Sequence, residues 1–193
     1  SLTDARGVVS NFTYNNRRLV TGVTYDIPAN SGVAPTSNVT FGYDELGNRS
    51  WMVETSTPNY AGGRVDYVYN SLSQLQSETR HFNTPNRDYT ISYGYNLAGQ
   101  LTSLASPFSH TVSFSRDKNG RLSGVSDTTS SGATTSYASQ IRYRAWDAVK
   151  SLNYGNGLTQ VTTHNARQQI TGFTISGRNP QYGAPDIMKA AYQ

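Results

Sequence analysis

The chain has 193 residues, enough for one domain of ordinary size, and 16 Lys and Arg against 12 Asp and Glu give it a formal charge of +4. Tyr at 14 and Gly at 17 are abundant, charged residues make up 15%, and Cys is absent, a β-rich and turn-rich composition that excludes disulfide and thiolate chemistry. It contains no run of 18 apolar residues and no charged-then-apolar leader, so the sequence predicts neither a membrane span nor an export signal.

The chain opens at Asp4-Ala5-Arg6-Gly7, which reads as a turn already under way and, with no initiator Met, as an excerpt of a longer protein. Tyr14-Asn15-Asn16-Arg17-Arg18-Leu19 is a first, weak copy of a motif that recurs to the end. Residues Ile27 to Asn38, with two Pro and several small polar residues, predict a surface loop. Val39, Phe41 and Tyr43 then alternate with Thr40 and Gly42 at the period of a strand, leading into Tyr43-Asp44-Glu45-Leu46-Gly47-Asn48-Arg49. A second loop is expected from Thr55 to Arg64, around Pro58 and Gly62-Gly63. Val65, Tyr67 and Tyr69 form the next alternation, before Asn70-Ser71-Leu72-Ser73-Gln74-Leu75. Tyr89, Ile91, Tyr93 and Tyr95 precede the fullest copy, in which Asn96 is followed by Gly99 and Leu101. Val112 and Phe114 approach Arg116-Asp117-Lys118-Asn119-Gly120-Arg121-Leu122.

Ser126 to Ser139 is almost all Ser, Thr, Gly and Ala and is expected to be an unpacked, low-complexity loop. The next copy is placed at Trp146-Asp147-Ala148-Val149-Lys150-Ser151-Leu152, with Asp147 as its acid. Asn156-Gly157, between Tyr154 and Leu158, predicts a two-residue hairpin turn of the primed type. A last copy runs from His164-Asn165 to Ile170. In the tail, Asp186 could cap a short helix, but the interval from Ile170 favours a strand that begins a further, truncated repeat. The expected organisation is a hairpin array over residues 1–176 and a tail over 177–193.

Each part of the motif has a folding role. The Asp or Asn bonds its side chain to backbone amides two residues on, and the Gly takes the positive φ that closes a tight turn. The acids and amides at 15, 44, 70, 96, 117, 147 and 165 lie 18 to 30 residues apart, as suits an array of supersecondary units. One hairpin is marginal alone, so neighbours pair edge to edge, and the sequence predicts an all-β fold: β-hairpin repeats forming a continuous twisted antiparallel sheet. The structural residues of the repeat turns are Tyr43, Asp44, Gly47, Tyr69, Asn70, Tyr95, Asn96, Gly99, Leu101, Asp117, Gly120, Leu122, Asp147 and Asn165. Ser73, Lys150 and Gln168 stand where the turn Gly is expected, which predicts looser turns or turns of another type there.

This pattern, roughly Tyr-x-Tyr-Asp-x-x-Gly-(Arg/Asn)-Leu, resembles the YD repeats of bacterial Rhs proteins, Tc-toxin shell components and animal teneurins, with about seven copies over residues 2 to 176. The resemblance implies a strip of a spiral β shell that encloses a polypeptide cargo, such as a C-terminal toxin, and an extracellular or cell-surface location. The partners it implies are flanking repeats of the parent protein, or self-association through sheet edges. That family's self-cleaving Asp-Pro-x-Gly type motif has no match, since Ala184-Pro185-Asp186 has the wrong order, so no autoproteolysis is expected. The alternative function is binding of carbohydrate or a cell-surface partner, with Trp51, Tyr60 and Trp146 as candidate stacking surfaces.

Chemistry has little support in the residues. His81, His110 and His164 fall in different repeats without metal-ligand spacing, Asp117 to Asp127 completes no calcium loop, and a turn Asp is consumed by its own hydrogen bonds. The sequence therefore predicts no enzyme activity, cofactor or metal. The only adjacent cations are Arg17-Arg18, and Arg49, Arg121 and Arg167 belong to separate turns, so no nucleic-acid partner is expected despite the basic charge.

Overall fold

The computed structural model describes residues 1–57, 61–177 and 186–192, the last span without the side chains of Asp186 and Ile187. Among them no helix forms. Sixteen strands follow one another in the sheet in chain order, and the chain divides into two compact units, residues 1–93 and 94–193. The stretches Tyr67–Asn70 and Tyr93–Asn96 are strand ends leading into turns.

The first unit holds β1 (Leu2–Thr3), β2 (Val9–Tyr14), β3 (Val20–Asp26), β4 (Val39–Tyr43), β5 (Arg49–Glu54), β6 (Gly63–Tyr69), β7 (Leu75–Asn83) and most of β8 (Asn86–Tyr95). Alternation of apolar and polar residues fixes which face each side chain takes. The antiparallel pairs Phe12↔Val23, Phe41↔Met52 and Met52↔Val65 build an apolar face. On the other face Thr13↔Gly22, Thr79↔Thr90 and Ser77↔Ser92 carry hydroxyls, and the Thr79 and Thr90 hydroxyls lie 2.9 Å apart.

The second unit holds β9 (Leu101–Ala105), β10 (His110–Arg116), β11 (Leu122–Thr129), β12 (Thr134–Tyr143), β13 (Val149–Tyr154), β14 (Thr159–His164), β15 (Ile170–Ser176) and β16 (Asp186–Ala191). Leu104↔Val112 and Phe114↔Val125 form its apolar face, and Ser103↔Ser113↔Ser126 runs along the opposite one. Burial is shallow in both units: among the described residues only Val8 and Val65 are buried apolar side chains. With so little core, the backbone ladder and the turns contribute a large share of what fixes the chain.

Two expectations change here. Ser126 to Ser139 is not an unpacked loop. It forms most of the β11–β12 hairpin, because a strand with one solvated face needs few apolar residues, and Thr128 and Thr134 pair their hydroxyls at 3.1 Å. The corner at Asn156-Gly157 is a three-residue loop, Gly155 to Gly157, closed by Tyr154 N–H to Leu158 O at 2.7 Å, with Gly157 at φ 85°. A Cβ on Gly155 would run into the Ser136 carbonyl, so the extra glycine lets that corner sit against β12. The expected loop at Thr55 to Arg64 ends earlier, since Gly63 and Arg64 already belong to β6; Pro58 lies outside the described residues. In the tail, residues 186–191 pair with β15 as a strand.

Candidate functional site

The motif residues converge on one local structure, seen at Asp44. Its backbone N–H donates to the Asn48 carbonyl at 2.9 Å and the Gly47 N–H donates back to the Asp44 carbonyl at 3.1 Å, while Gly47 adopts φ 91°. This is the three-residue hairpin loop in which a β-turn is followed by a left-handed residue and a bulge. The same pair of bonds starts at Asn15, Asn70, Asn96, Asp117 and Asn165. At each of these five heads one side-chain oxygen accepts the N–H groups of the second and fourth residues onward, both at 3.0 Å for Asn96 and both at 2.9 Å for Asp117. Loop donors that the ladder cannot reach are satisfied in this way.

Tyr43, Tyr69 and Tyr95 each stand immediately before a head, Gly47, Gly99 and Gly120 take the left-handed position, and Leu101 and Leu122 open the returning strand. Asp147 is misplaced in the sequence reading. The head of that turn is Arg144, whose N–H donates to the Ala148 carbonyl at 2.8 Å, and Asp147 is the left-handed residue at φ 66°. Tyr143 before the head and Val149 five residues after it carry the register of this turn, and the acid does not. With the head at 144 the last two intervals become 27 and 21 residues. Lys150 is therefore not a substitute for the turn Gly. Ser73 and Gln168 are, and their turns are not looser: both adopt the left-handed conformation, at φ 57° and 65°, with the same hydrogen bonds. Further loops of this type, not expected from the sequence, are headed by Ser106 and Thr129, whose closing N–H groups reach His110 O at 2.7 Å and Ala133 O at 2.9 Å. Their signal was a Ser or Thr three residues before a left-handed Ser109 or Gly132.

Register recurs at five of the six steps between these heads and slips at a bulge between the heads 117 and 144, where Val125 pairs with Ala138. The seventh residue after one head pairs with the fourth before the next: Gly22↔Thr40, Trp51↔Asp66 and Ser77↔Ser92, and in the second unit Ser103↔Ser113 and Ser151↔Val161. Because strands alternate in direction, the turns 15–19, 44–48 and 70–74 share one end of the strands of the first unit, and 96–100, 117–121, 144–148 and 165–169 share one end in the second.

Side chains link neighbouring turns within each unit. Arg17 donates to the Asp44 and Glu45 carbonyls at 3.2 and 2.9 Å, and Asn48 donates to Ser73 Oγ at 3.1 Å. Gln100 donates to Gly120 O at 3.0 Å, and Arg121 to Asp147 at 3.1 Å. The residue before the head reaches back one hairpin: Tyr43 OH donates to Val20 O at 2.6 Å, Tyr143 OH to Leu122 O at 2.8 Å, and Arg116 to Leu101 O at 3.0 Å. Each of these carbonyls belongs to the residue five after the preceding head.

The turn acids are held as carboxylates. The Arg6 guanidinium lowers the Asp4 carboxyl, and the Asn48 amide with loop N–H groups lowers Asp44. Burial works to raise Asp117, but the hydrogen bond and charge of Arg121, with two backbone amides, outweigh it and leave it below the ordinary value. Carboxylates committed to such bonds are poor proton shuttles.

Outside the turns, the first unit carries a polar row on its hydroxyl face. Arg64 donates to Asp66 at 2.9 Å, and His81 lies 2.9 Å from Asp66 and 2.7 Å from Asp88. In the second unit His110 Nδ1 lies 2.6 Å from the buried Asp127, and His164 meets Trp146 edge-on at 5.9 Å. Among the described residues no three His, Asp or Glu gather as a metal-ion ligand set. The candidate stacking surfaces are engaged: Arg64 lies over Trp51 at 5.5 Å and Arg144 over Trp146 at 5.8 Å. Tyr60 lies outside the described residues.

No protein-family model matches the sequence, and no curated protein matches it. Solved structures do. The TcdB2-TccC3-TEV crystal structure superposes with a TM-score of 0.79 over 99% of this chain at 13% identity, and the Photorhabdus luminescens Tc holotoxin pore with 0.78 over 99% at 14%. The TcdB2-TccC3 structure without its hypervariable C-terminal region gives 0.78 at 13% identity. This chain spans 10% of the length of those chains. At such identity the likeness is one of fold: this chain is a β-hairpin array built like part of those TcdB2-TccC3 structures.

Proposed function

We propose that the chain is an architectural segment of an encapsulating β scaffold whose interior sequesters a polypeptide cargo, such as a C-terminal toxin, at the cell surface or outside the cell. The observation that carries this reading is the seven-and-four register kept at five of the six steps, with recurring side chains that close a turn, link it to the next turn, or reach back to the preceding hairpin. The solved structures that share its fold are TcdB2-TccC3 assemblies, including a holotoxin pore. Its partners in this role are further repeats that pair with its sheet edges, and the cargo. No helix of the described residues is long and apolar enough to cross a membrane.

The test is protease protection on the intact gene product. Trypsin is expected to spare the C-terminal polypeptide until denaturant opens the shell, and electron microscopy is expected to show a closed hollow particle. An open strip, or a C-terminal segment cut at the same rate in either state, overturns the proposal.

A further inference from the structure

The sequence contains two Asn-Gly dipeptides, Asn119-Gly120 and Asn156-Gly157, and the structure sets them at the same place in the same kind of loop. Each Asn is the second residue after a loop head, Asp117 or Tyr154. Each Gly is the third, at φ 78° and 85°, and its N–H donates to the carbonyl of the head at 3.0 Å. Asn followed by Gly is the pair most open to attack of the backbone on the side chain, because a residue without a Cβ leaves its amide nitrogen unshielded.

What differs is where the fourth N–H after the head goes. In the capped turn the Arg121 N–H donates to Asp117 Oδ1 at 2.9 Å, and the Asn119 N–H donates to the same oxygen. Gln100 and Arg116 hold the Gly120 carbonyl at 3.0 and 3.1 Å, and the Asp117 carboxylate opposes removal of the Gly120 amide proton in the same turn. At the corner the head is Tyr154, whose hydroxyl is engaged with Gln160 at 2.5 Å, so no head side chain caps the loop. The Leu158 N–H donates instead to Asn156 Oδ1 at 3.2 Å. Such a bond draws the side-chain carbonyl carbon toward the intervening Gly157 nitrogen and places a donor where an oxyanion would develop. Residues 155–157 are exposed, and Asn156 borders, with Tyr137, Tyr154 and Gly155, an open cavity of about 390 Å³, which leaves room for the side chain to rearrange and for water to enter.

We propose that Asn156 is a site of spontaneous cyclisation, from which Asn119 is protected by its capped turn. The Gly157 nitrogen releases its bond to the Tyr154 carbonyl, gives up its proton and attacks Asn156 Cγ. The new C–N bond closes a succinimide, and Asn156 Nδ2 leaves as ammonia with that proton. Water then opens the ring at either carbonyl, giving aspartate or isoaspartate. Either product adds a negative charge, and isoaspartate also lengthens the backbone by one atom. The corner has no slack for it, since a Cβ on Gly155 would already run into the Ser136 carbonyl, so the modification loosens the β13–β14 corner from β12. The site goes beyond the scaffold reading and stands or falls separately from it.

The experiment is a time course of the whole chain at mildly alkaline pH, with and without concentrated denaturant, read by peptide mapping in a mass spectrometer with fragmentation that separates isoaspartate from aspartate. In the folded chain Asn156 is expected to convert at least fivefold faster than Asn119, with isoaspartate the larger product. In denaturant, where neither loop exists, the two rates are expected to agree within twofold. Asp117→Ala frees the Arg121 N–H and is expected to speed conversion of Asn119 in chains that circular dichroism shows to be folded. The proposal is overturned if the folded chain converts Asn119 as fast as Asn156, if Asn156 stays intact while the denatured chain converts, or if the product at 156 is aspartate alone. It is equally overturned if the ratio of the two rates is the same in denaturant, or if folded Asp117→Ala leaves Asn119 unchanged.

Discussion

At Asn15, Asn70, Asn96, Asp117 and Asn165 a single side-chain oxygen satisfies two loop amides, and at Asn165 both bonds are 3.0 Å, with a third from its amide nitrogen to Gln169 at 2.9 Å. Asn165→Ala strands these amides in the loop, and a cost of about 1 kcal/mol, as for a lost helix cap, should appear in denaturant melts. Three residues on, Gln168 sits at φ 65°, where a Cβ is unfavourable by about 1–2 kcal/mol. Glycine gains that back less its extra unfolded-state freedom, so Gln168→Gly should raise stability by about 0.5–1 kcal/mol; an unchanged melt would contradict the strain. Where the head is an acid, folding becomes pH-dependent. Asp4, Asp44 and Asp117 are lowered in the folded chain, so their contribution is fully present above the unfolded value near 4 and is lost as pH falls through their lower folded values. Asp44→Asn keeps the acceptor oxygen and should flatten part of the acid limb in melts between about pH 2 and 5.

Strands acquire their register from bonds that span hairpins. The Tyr43 hydroxyl donates to the Val20 carbonyl at 2.6 Å, so Tyr43→Phe should cost about 1 kcal/mol while the aromatic face stays in place, measured by the denaturation midpoint of the variant. This explains why the position before a head favours a residue with a long reach and a terminal donor: Arg116 does for Leu101 what Tyr143 does for Leu122. Gly42 shows the same economy on the other face, since a Cβ there would strike the Trp51 ring opposite it. The β11–β12 hairpin was invisible in sequence for a related reason. Its Ser and Thr residues look like a linker, and only a neighbouring strand turns them into a solvated face.

Each unit presents large apolar side chains to solvent, among them Phe12 and Val68 in the first and Phe108, Tyr137, Ile170 and Met188 in the second. A sheet so thinly covered is expected to bind 8-anilinonaphthalene-1-sulfonate in the native state and to self-associate as concentration rises. Analytical ultracentrifugation showing an ideal monomer at millimolar concentration, with no dye fluorescence, would contradict this. In the proposed scaffold role, further repeats or cargo cover these side chains.

The sequence by itself determined the hairpin array and the heads at Asn15, Asp44, Asn70, Asn96, Asp117 and Asn165, because a capped three-residue turn is written within five consecutive residues and needs no distant partner. Only the tertiary structure decided that Arg144 and not Asp147 heads its turn, and that the Tyr43 and Tyr143 hydroxyls serve the carbonyls of the preceding hairpin. Those facts depend on which strands lie side by side and in what register, and cross-strand pairing joins residues that the sequence holds apart.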